Sequence, residues 1–274
     1  MTQRSVPETT VQPTRDRLGA RILTGIGATV FGLTVFAVGT PLLEFAGLFI
    51  ALVIAYEWNG LIRKTSTPNL ASALMIFGVG IGVFATGHGA FWLAGVSMAV
   101  TAVLCSVAAF NNPTERVWLP LGIAYAGIPW SLLVGLYVIG GVGPWILFIG
   151  LALVINADIA AYFAGKHLGG PRLAPSISPK KTWIGLLMGV AAGYVVAQVM
   201  VTWSPVTSWK FALAAPLFAA ISQVSDLMES WVKRRFGVKD AGKLLPGHGG
   251  VMDRMDGMTL TSVALVIFCL LGWH

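Results

Sequence analysis

Cysteine is almost missing from this chain: only Cys105 and Cys269 occur in 274 residues, and both lie inside apolar stretches. That scarcity excludes a disulfide framework and a thiolate metal centre. Charge is scarce as well, 11% of residues against 56% hydrophobic ones. Neither an internal repeat nor a low-complexity segment is visible. What is present is one apolar stretch after another from Ile22 to Trp273. A helix needs roughly 17–25 such residues to cross a bilayer, and a soluble domain does not string them together. The 33 glycines and 14 prolines fit the same reading, because neighbouring membrane helices re-satisfy the backbone. The expected fold is all-α, a polytopic transmembrane helical protein.

Nine apolar runs can be drawn, at about 22–38, 42–58, 70–86, 90–109, 118–139, 144–163, 184–202, 210–228 and 258–273. The fifth contains Pro120 and Pro129, which can kink or split it. Residues 1–21 hold Arg4, Arg15, Arg17 and Arg21 before any apolar run. A cleavable signal peptide brings its apolar region earlier, so this segment reads as a cytoplasmic tail. With the N-terminus inside and alternating spans, Arg63, Lys64, Arg116 and the loops 164–183 and 229–257 fall on the cytoplasmic side. Of 18 basic residues only Lys210 is then left outside, as the positive-inside rule requires. The chain divides into the tail 1–21, a transmembrane region 22–140 and a C-terminal transmembrane region 141–274 that carries both long loops and the chemistry.

The first long loop reads GKHLGGPRLAPSISPKKTWIG, Gly165 to Gly185. A basic segment beside a membrane can simply touch anionic headgroups. Yet Ser176, Ser178, Lys180, Lys181 and Thr182 lead straight into a helix, and hydroxyls, ammonium groups and free N–H donors at a helix start suit phosphate oxygens. Just upstream Asp158 sits in an apolar helix. It is either satisfied by a helix–helix hydrogen bond or turned to a wet cavity.

The second cluster begins with Asp226 and Glu229, three apart and therefore on one side of the eighth span. Lys233, Arg234, Arg235, Lys239 and Asp240 follow, then LLPGHGGVMDRMDG from Leu244 to Gly257. Acids at a helix start complement its dipole, which accounts for one of Asp253 and Asp256 but not for Asp226. Asp226, Asp253 and Asp256, hard oxygen ligands from two helices, suit Mg²⁺, which takes one or two carboxylates plus substrate phosphates. With His248 alone and no cysteine nearby, zinc is unsuited. Gly249 and Gly250 let backbone N–H groups approach phosphate.

The stretch SWVKRRFGVKDAGKLLPGHGGVMDRMD, Ser230 to Asp256, resembles the signature of the phosphatidate cytidylyltransferases, the CDP-diacylglycerol synthase family. ADIAAYFAGKHLG and ISPKKTW are similar to two further family segments, whereas the N-terminal four spans resemble it only in hydropathy. Two positions depart: Ile184 stands where the family usually has Glu, and Ser225 where it usually has Gly. The resemblance implies transfer of a cytidylyl group from CTP to phosphatidate, with Mg²⁺ as cofactor and room for a second cation. It assigns Asp226, Asp253 and Asp256 to metal, with Lys239 and Arg254 beside them in catalysis. Substrate phosphates fall to Ser178, Lys180, Lys181, Thr182, Lys233, Arg234, Gly249 and Gly250, with Asp158 and His248 behind them. It also implies membrane lipids as surroundings, a bacterial inner membrane, no nucleic-acid partner, and a chain compatible with a homodimer. The rival reading is an ion-coupled secondary transporter using Glu44, Asp158 and Asp226, although no repeat pair is visible. A CDP-alcohol phosphotransferase is a second rival, but its aspartate spacing is not found.

Overall fold

The computed structural model describes residues 27, 30–64, 67–139, 143–203, 208–242, 244 and 249–272. The expected tail 1–21 lies outside them. Residues 30–38 are helical and are called α1. Then come α2 (Leu42–Arg63), α3 (Leu70–Gly87), α4 (Phe91–Ala108), α5 (Pro113–Gly122), a π-helical turn (Ile123–Gly127) and α6 (Ile128–Val138). The C-terminal half holds α7 (Gly143–His167), β1 (Arg172–Ala174), β2 (Ser178–Thr182), α8 (Trp183–Trp203), α9 (Trp209–Arg235) and α10 (Met252–Leu270). The all-α polytopic fold is as expected. Among the described residues seven units are long and apolar enough to cross a membrane, counting Pro113–Val138 as one. α10 is not among them, since Asp253, Arg254 and Asp256 occupy its start.

Local chemistry explains the boundaries. Asn69 starts α3 by accepting the Ser72 N–H at 2.9 Å. Asn112 caps α5 with Pro113 just behind it, a pairing that satisfies orphan donors and presets φ. Inside the fifth unit Pro129 has no N–H to give, and the Ile128 N–H instead reaches back to the Ile123 carbonyl. The ladder slips to i→i+5, which bends the helix without ending it.

Two large cores hold most of the described residues together. One gathers α2, α3, α4 and the α5–α6 unit around Ile54, Trp58, Met75, Val79 and Leu119, and takes in Val232 and Met252 from the C-terminal half. The other packs α7, α8, α9 and α10 around Ile149, Leu153, Phe211, Phe218 and Leu265. Small residues set the spacing in the second. On α8 Gly185, Gly189 and Gly193 are buried at four-residue intervals. A methyl group on Gly189 would stand 2.9 Å from the Ala157 carbonyl oxygen, and one on Gly193 2.7 Å from the Ala219 side chain. Such a small-residue seam lets helix backbones approach where water provides no drive. It is how α8 fits between α7 and α9.

Two loops differ from expectation. Much of 164–183 is structured: α7 runs on to His167, and Arg172–Ala174 pairs antiparallel with Ser178–Thr182. Much of 229–257 is helix, with α9 continuing to Arg235 and α10 beginning at Met252. The functional candidates are therefore carried by helix ends and a hairpin rather than by long free loops.

Candidate active site

The side chains that are costly in an apolar setting converge where the end of α9 packs on the start of α10. Asp226 and Glu229 lie one helical turn apart on α9, and Asp256 faces them from α10. One oxygen from each carboxylate lies within 4.8 Å of the other two. Two unit charges at such a separation repel by roughly 3–4 kcal/mol at an effective dielectric of 20. Glu229 is wholly buried, and while its Oε2 accepts from Lys233 at 2.8 Å, its Oε1 has no hydrogen-bond partner. A buried carboxylate oxygen left open beside two further carboxylates fits a hard cation. These residues could hold one.

Asp253, expected in the same group, is placed differently. Its carboxylate accepts from Lys233 at 2.8 Å, from the Ala241 N–H at 3.0 and 3.1 Å, and from the Gly250 N–H at 2.8 Å. Three residues place Asp253 and Asp256 within about 60° of each other around α10, and it is their different partners that separate them. Asp256 joins the Asp226–Glu229 group, while Asp253 ties the end of the preceding loop together. Gly249 has φ +85° there, and a methyl group on it would meet Asp253 Oδ2 at 2.7 Å. Both demands call for glycine.

The hairpin supplies the facing wall. Lys181 Nζ stands 2.5 Å from Asp226 Oδ2 and donates to Gln223 Oε1 at 3.1 Å. Gln223 in turn donates to Asp158 Oδ1 at 2.6 Å, the helix–helix hydrogen bond that was one of the two readings of Asp158. Lys181 and Lys233 thus bring two positive charges to a region holding the carboxylates of Asp226, Glu229, Asp253 and Asp256. Thr182 is buried and accepts the Gly185 N–H at 3.0 Å, capping α8. Arg234 donates to the Ile177 carbonyl at 3.3 Å and the Val238 carbonyl at 2.9 Å, fastening the hairpin turn to the end of α9. Lys180, Lys239 and Arg254 are exposed around this region, and Ser178 is half-buried. His248 lies outside the described residues.

Ser225, the departure from the family pattern, has a definite place. Its buried hydroxyl donates to the Asp256 carbonyl and accepts the Leu260 N–H at 3.1 Å. It thereby stitches α9 to α10 at the metal candidate itself. Ile184 has a packing role: a methyl group on Gly170 would meet its Cδ1 at 2.9 Å.

Two acidic residues were passed over in the sequence assignment. Glu229 was visible at i+3 from Asp226, and that spacing was the signal. Glu57, on the apolar helix α2, is buried and accepts the N–H groups of Val251 at 3.0 Å and Met252 at 2.7 Å. Its only signal was a carboxylate inside a membrane-length helix.

A bundle of membrane helices that closes a carboxylate cluster against lysines at helix ends is a membrane enzyme site suited to phosphate groups. The chain belongs to the cytidylyltransferase family, whose model, described as "Cytidylyltransferase family", matches residues 19–271. Curated relatives named phosphatidate cytidylyltransferase are similar along most of it. That of Brucella suis biovar 1 (strain 1330) is 40% identical over 263 residues, 92% of this chain and 93% of the relative. That of Rickettsia bellii (strain RML369-C) is 39% identical over 158 residues, 54% of this chain and 68% of the relative. The family match reaches back through the N-terminal helices, where sequence motifs alone had shown only hydropathy.

Proposed function

We propose that this protein transfers the cytidylyl group of CTP to phosphatidate, giving CDP-diacylglycerol and pyrophosphate. The observation that carries the reading is the junction of the Ser230–Asp256 stretch with the Asp226–Glu229–Asp256 carboxylates, in a chain 40% identical to a phosphatidate cytidylyltransferase over 92% of its length. Family membership decides against the transporter reading.

A phosphate oxygen of the lipid attacks the α-phosphorus of CTP. A new P–O bond forms, the bond from the α-phosphorus to the α–β bridging oxygen breaks, and that oxygen leaves with pyrophosphate. No protein nucleophile is needed, because the substrate brings its own. Asp226, Glu229 and Asp256 would hold Mg²⁺, which when bound screens the charge of the triphosphate and of the leaving pyrophosphate. Lys181, moving between Asp226 and a phosphate oxygen, orients a substrate phosphate. Lys233 and the backbone N–H groups of Ala241 and Gly250 hold Asp253 and so tie Ala241 and Gly250 to the start of α10. Lys180, Lys239 and Arg254 attract the polyanionic substrates from the aqueous side. The site faces the cytoplasm of a bacterial cell with its catalytic residues in 141–274, and the protein resides in the inner membrane.

The test is incubation of purified protein in mixed micelles with phosphatidate and, separately, CTP, ATP, GTP or UTP. CTP alone should release pyrophosphate, and only when phosphatidate is present. Release from CTP without phosphatidate, or equal release from all four nucleotides, would refute the reading.

A further inference from the structure

We infer that Glu57 is a positioning residue for the reaction, a carboxylate on the N-terminal helix α2 that clamps the start of α10 and thereby sets where Asp256 stands. This rests on the proposed role of Asp256.

α10 begins without a cap of its own. Val251, the residue before it, has helical dihedrals, and its side chain makes no capping hydrogen bond. The first N–H groups of a helix have no partner inside the helix and carry its partial positive charge. Here the partner comes from 194 residues earlier in the chain: Glu57 Oε1 accepts from Val251 at 3.0 Å and Oε2 from Met252 at 2.7 Å. Glu57 is 3% exposed, and among the described residues it forms no ion pair. A buried carboxylate in that position is stabilised by those two donors and the helix end, so removing it leaves one buried and one half-buried donor without that acceptor.

Two glycines that precede α10, Gly242 and Gly250, lie against the same carboxylate. A methyl group on Gly250 would stand 2.6 and 2.7 Å from the two Glu57 oxygens, and one on Gly242 would collide with Oε1. Neither glycine has a positive φ. Space for Glu57, not backbone conformation, is what excludes a side chain there. Met252 is itself wholly buried in the N-terminal core with Trp58 and Ile54, which anchors the same turn by packing. A helix held this way at its first residue cannot rotate, and a small misplacement of a catalytic group can cost about 10²-fold in rate.

The experiment combines turnover with amide exchange. In Glu57→Ala, kcat should fall roughly tenfold or more while KM for phosphatidate stays put, and amides of 251–252 should exchange at least tenfold faster than those of α3. Glu57→Gln keeps one acceptor and should recover part of the loss. Gly250→Ala should mimic Glu57→Ala, and the double variant should be no worse than Glu57→Ala alone, because the clash partner is gone. Wild-type kcat in Glu57→Ala, additive losses in the double variant, or a uniform rise in exchange across all helices would overturn the proposal. Should Asp256→Asn prove fully active, the metal reading fails separately, and the exchange at 251–252 still decides whether Glu57 is the clamp.

Discussion

Lys181, on the second strand of the hairpin, places its ammonium 2.5 Å from the carboxylate of Asp226 on α9. Two residues 45 apart in sequence therefore share one site. Lys180 beside it is exposed, as is Lys239 beyond the end of α9. The three lysines should behave differently. Lys181→Ala removes charge from the carboxylate group and should lower kcat. Lys180→Ala should mainly raise KM for phosphatidate, and Lys239→Ala that for CTP, since binding lost uniformly from one substrate appears in its own KM. Varying both substrates in mixed micelles separates these outcomes, and a reversed pattern for Lys180 and Lys239 would exchange their roles.

Asp226→Asn, Glu229→Gln and Asp256→Asn should each reduce turnover by roughly 10²-fold or more, the scale expected when a ligand of a charge-screening ion is lost. Asp253→Asn should also be impaired, by a different route: it weakens the bonds that tie Lys233, Ala241 and Gly250 to the start of α10. Raising Mg²⁺ should partly restore Asp226→Asn but not Asp253→Asn. The check is a Mg²⁺ titration of turnover in all four variants, and identical recovery of Asp253→Asn would place it among the ligands.

How much of this was legible in the sequence depended on the kind of signal. Apolar length gave the helices, and Pro129 marked the bend in the fifth unit, because both are local. Asp226 and Asp256 stood out as carboxylates beside apolar runs. Asp253 and Asp256 could not be told apart by spacing alone, since the direction of each depends on which neighbours α10 meets. The hairpin over 172–182 was not legible: PRLAPSISPKK lacks the alternation of a strand, and its pairing is held from outside by Arg234. Glu57 was hidden because its two partners lie in the other half of the chain.

Ser225→Ala keeps the volume of the contact but leaves the Asp256 carbonyl and the Leu260 N–H without their shared hydroxyl. Loss of a buried hydrogen bond of this kind costs on the order of 1–3 kcal/mol. The variant should melt at lower temperature and lose part of its kcat, while Ser225→Thr, which retains the hydroxyl but adds a methyl group, should keep more activity than Ala only if the hydroxyl matters. Thermal unfolding in detergent alongside kcat makes the comparison.

Gly189→Val should separate α8 from α7, because the Ala157 carbonyl oxygen already stands 2.9 Å from where the first added carbon would be. Overpacking costs typically about 1–3 kcal/mol, to be read as a lowered melting temperature. A wild-type melting temperature would mean that α8 does not pack on α7 through this seam.

The placement of the basic residues sets the expected sidedness, which labelling tests. In a chain lacking Cys105 and Cys269, Ser178→Cys and Ala241→Cys should be labelled only from the cytoplasmic side, and Thr207→Cys, which lies outside the described residues, only from the opposite side. Labelling of Ala241→Cys from outside would reverse the orientation.

The most direct test of the account is a Mn²⁺ titration of the purified protein followed by electron paramagnetic resonance, with wild type, Glu229→Gln and Asp256→Asn compared at equal concentration. The account predicts a saturable site in wild type, weakened at least tenfold in both variants, with turnover falling in step. Undiminished Mn²⁺ binding in both variants would contradict it.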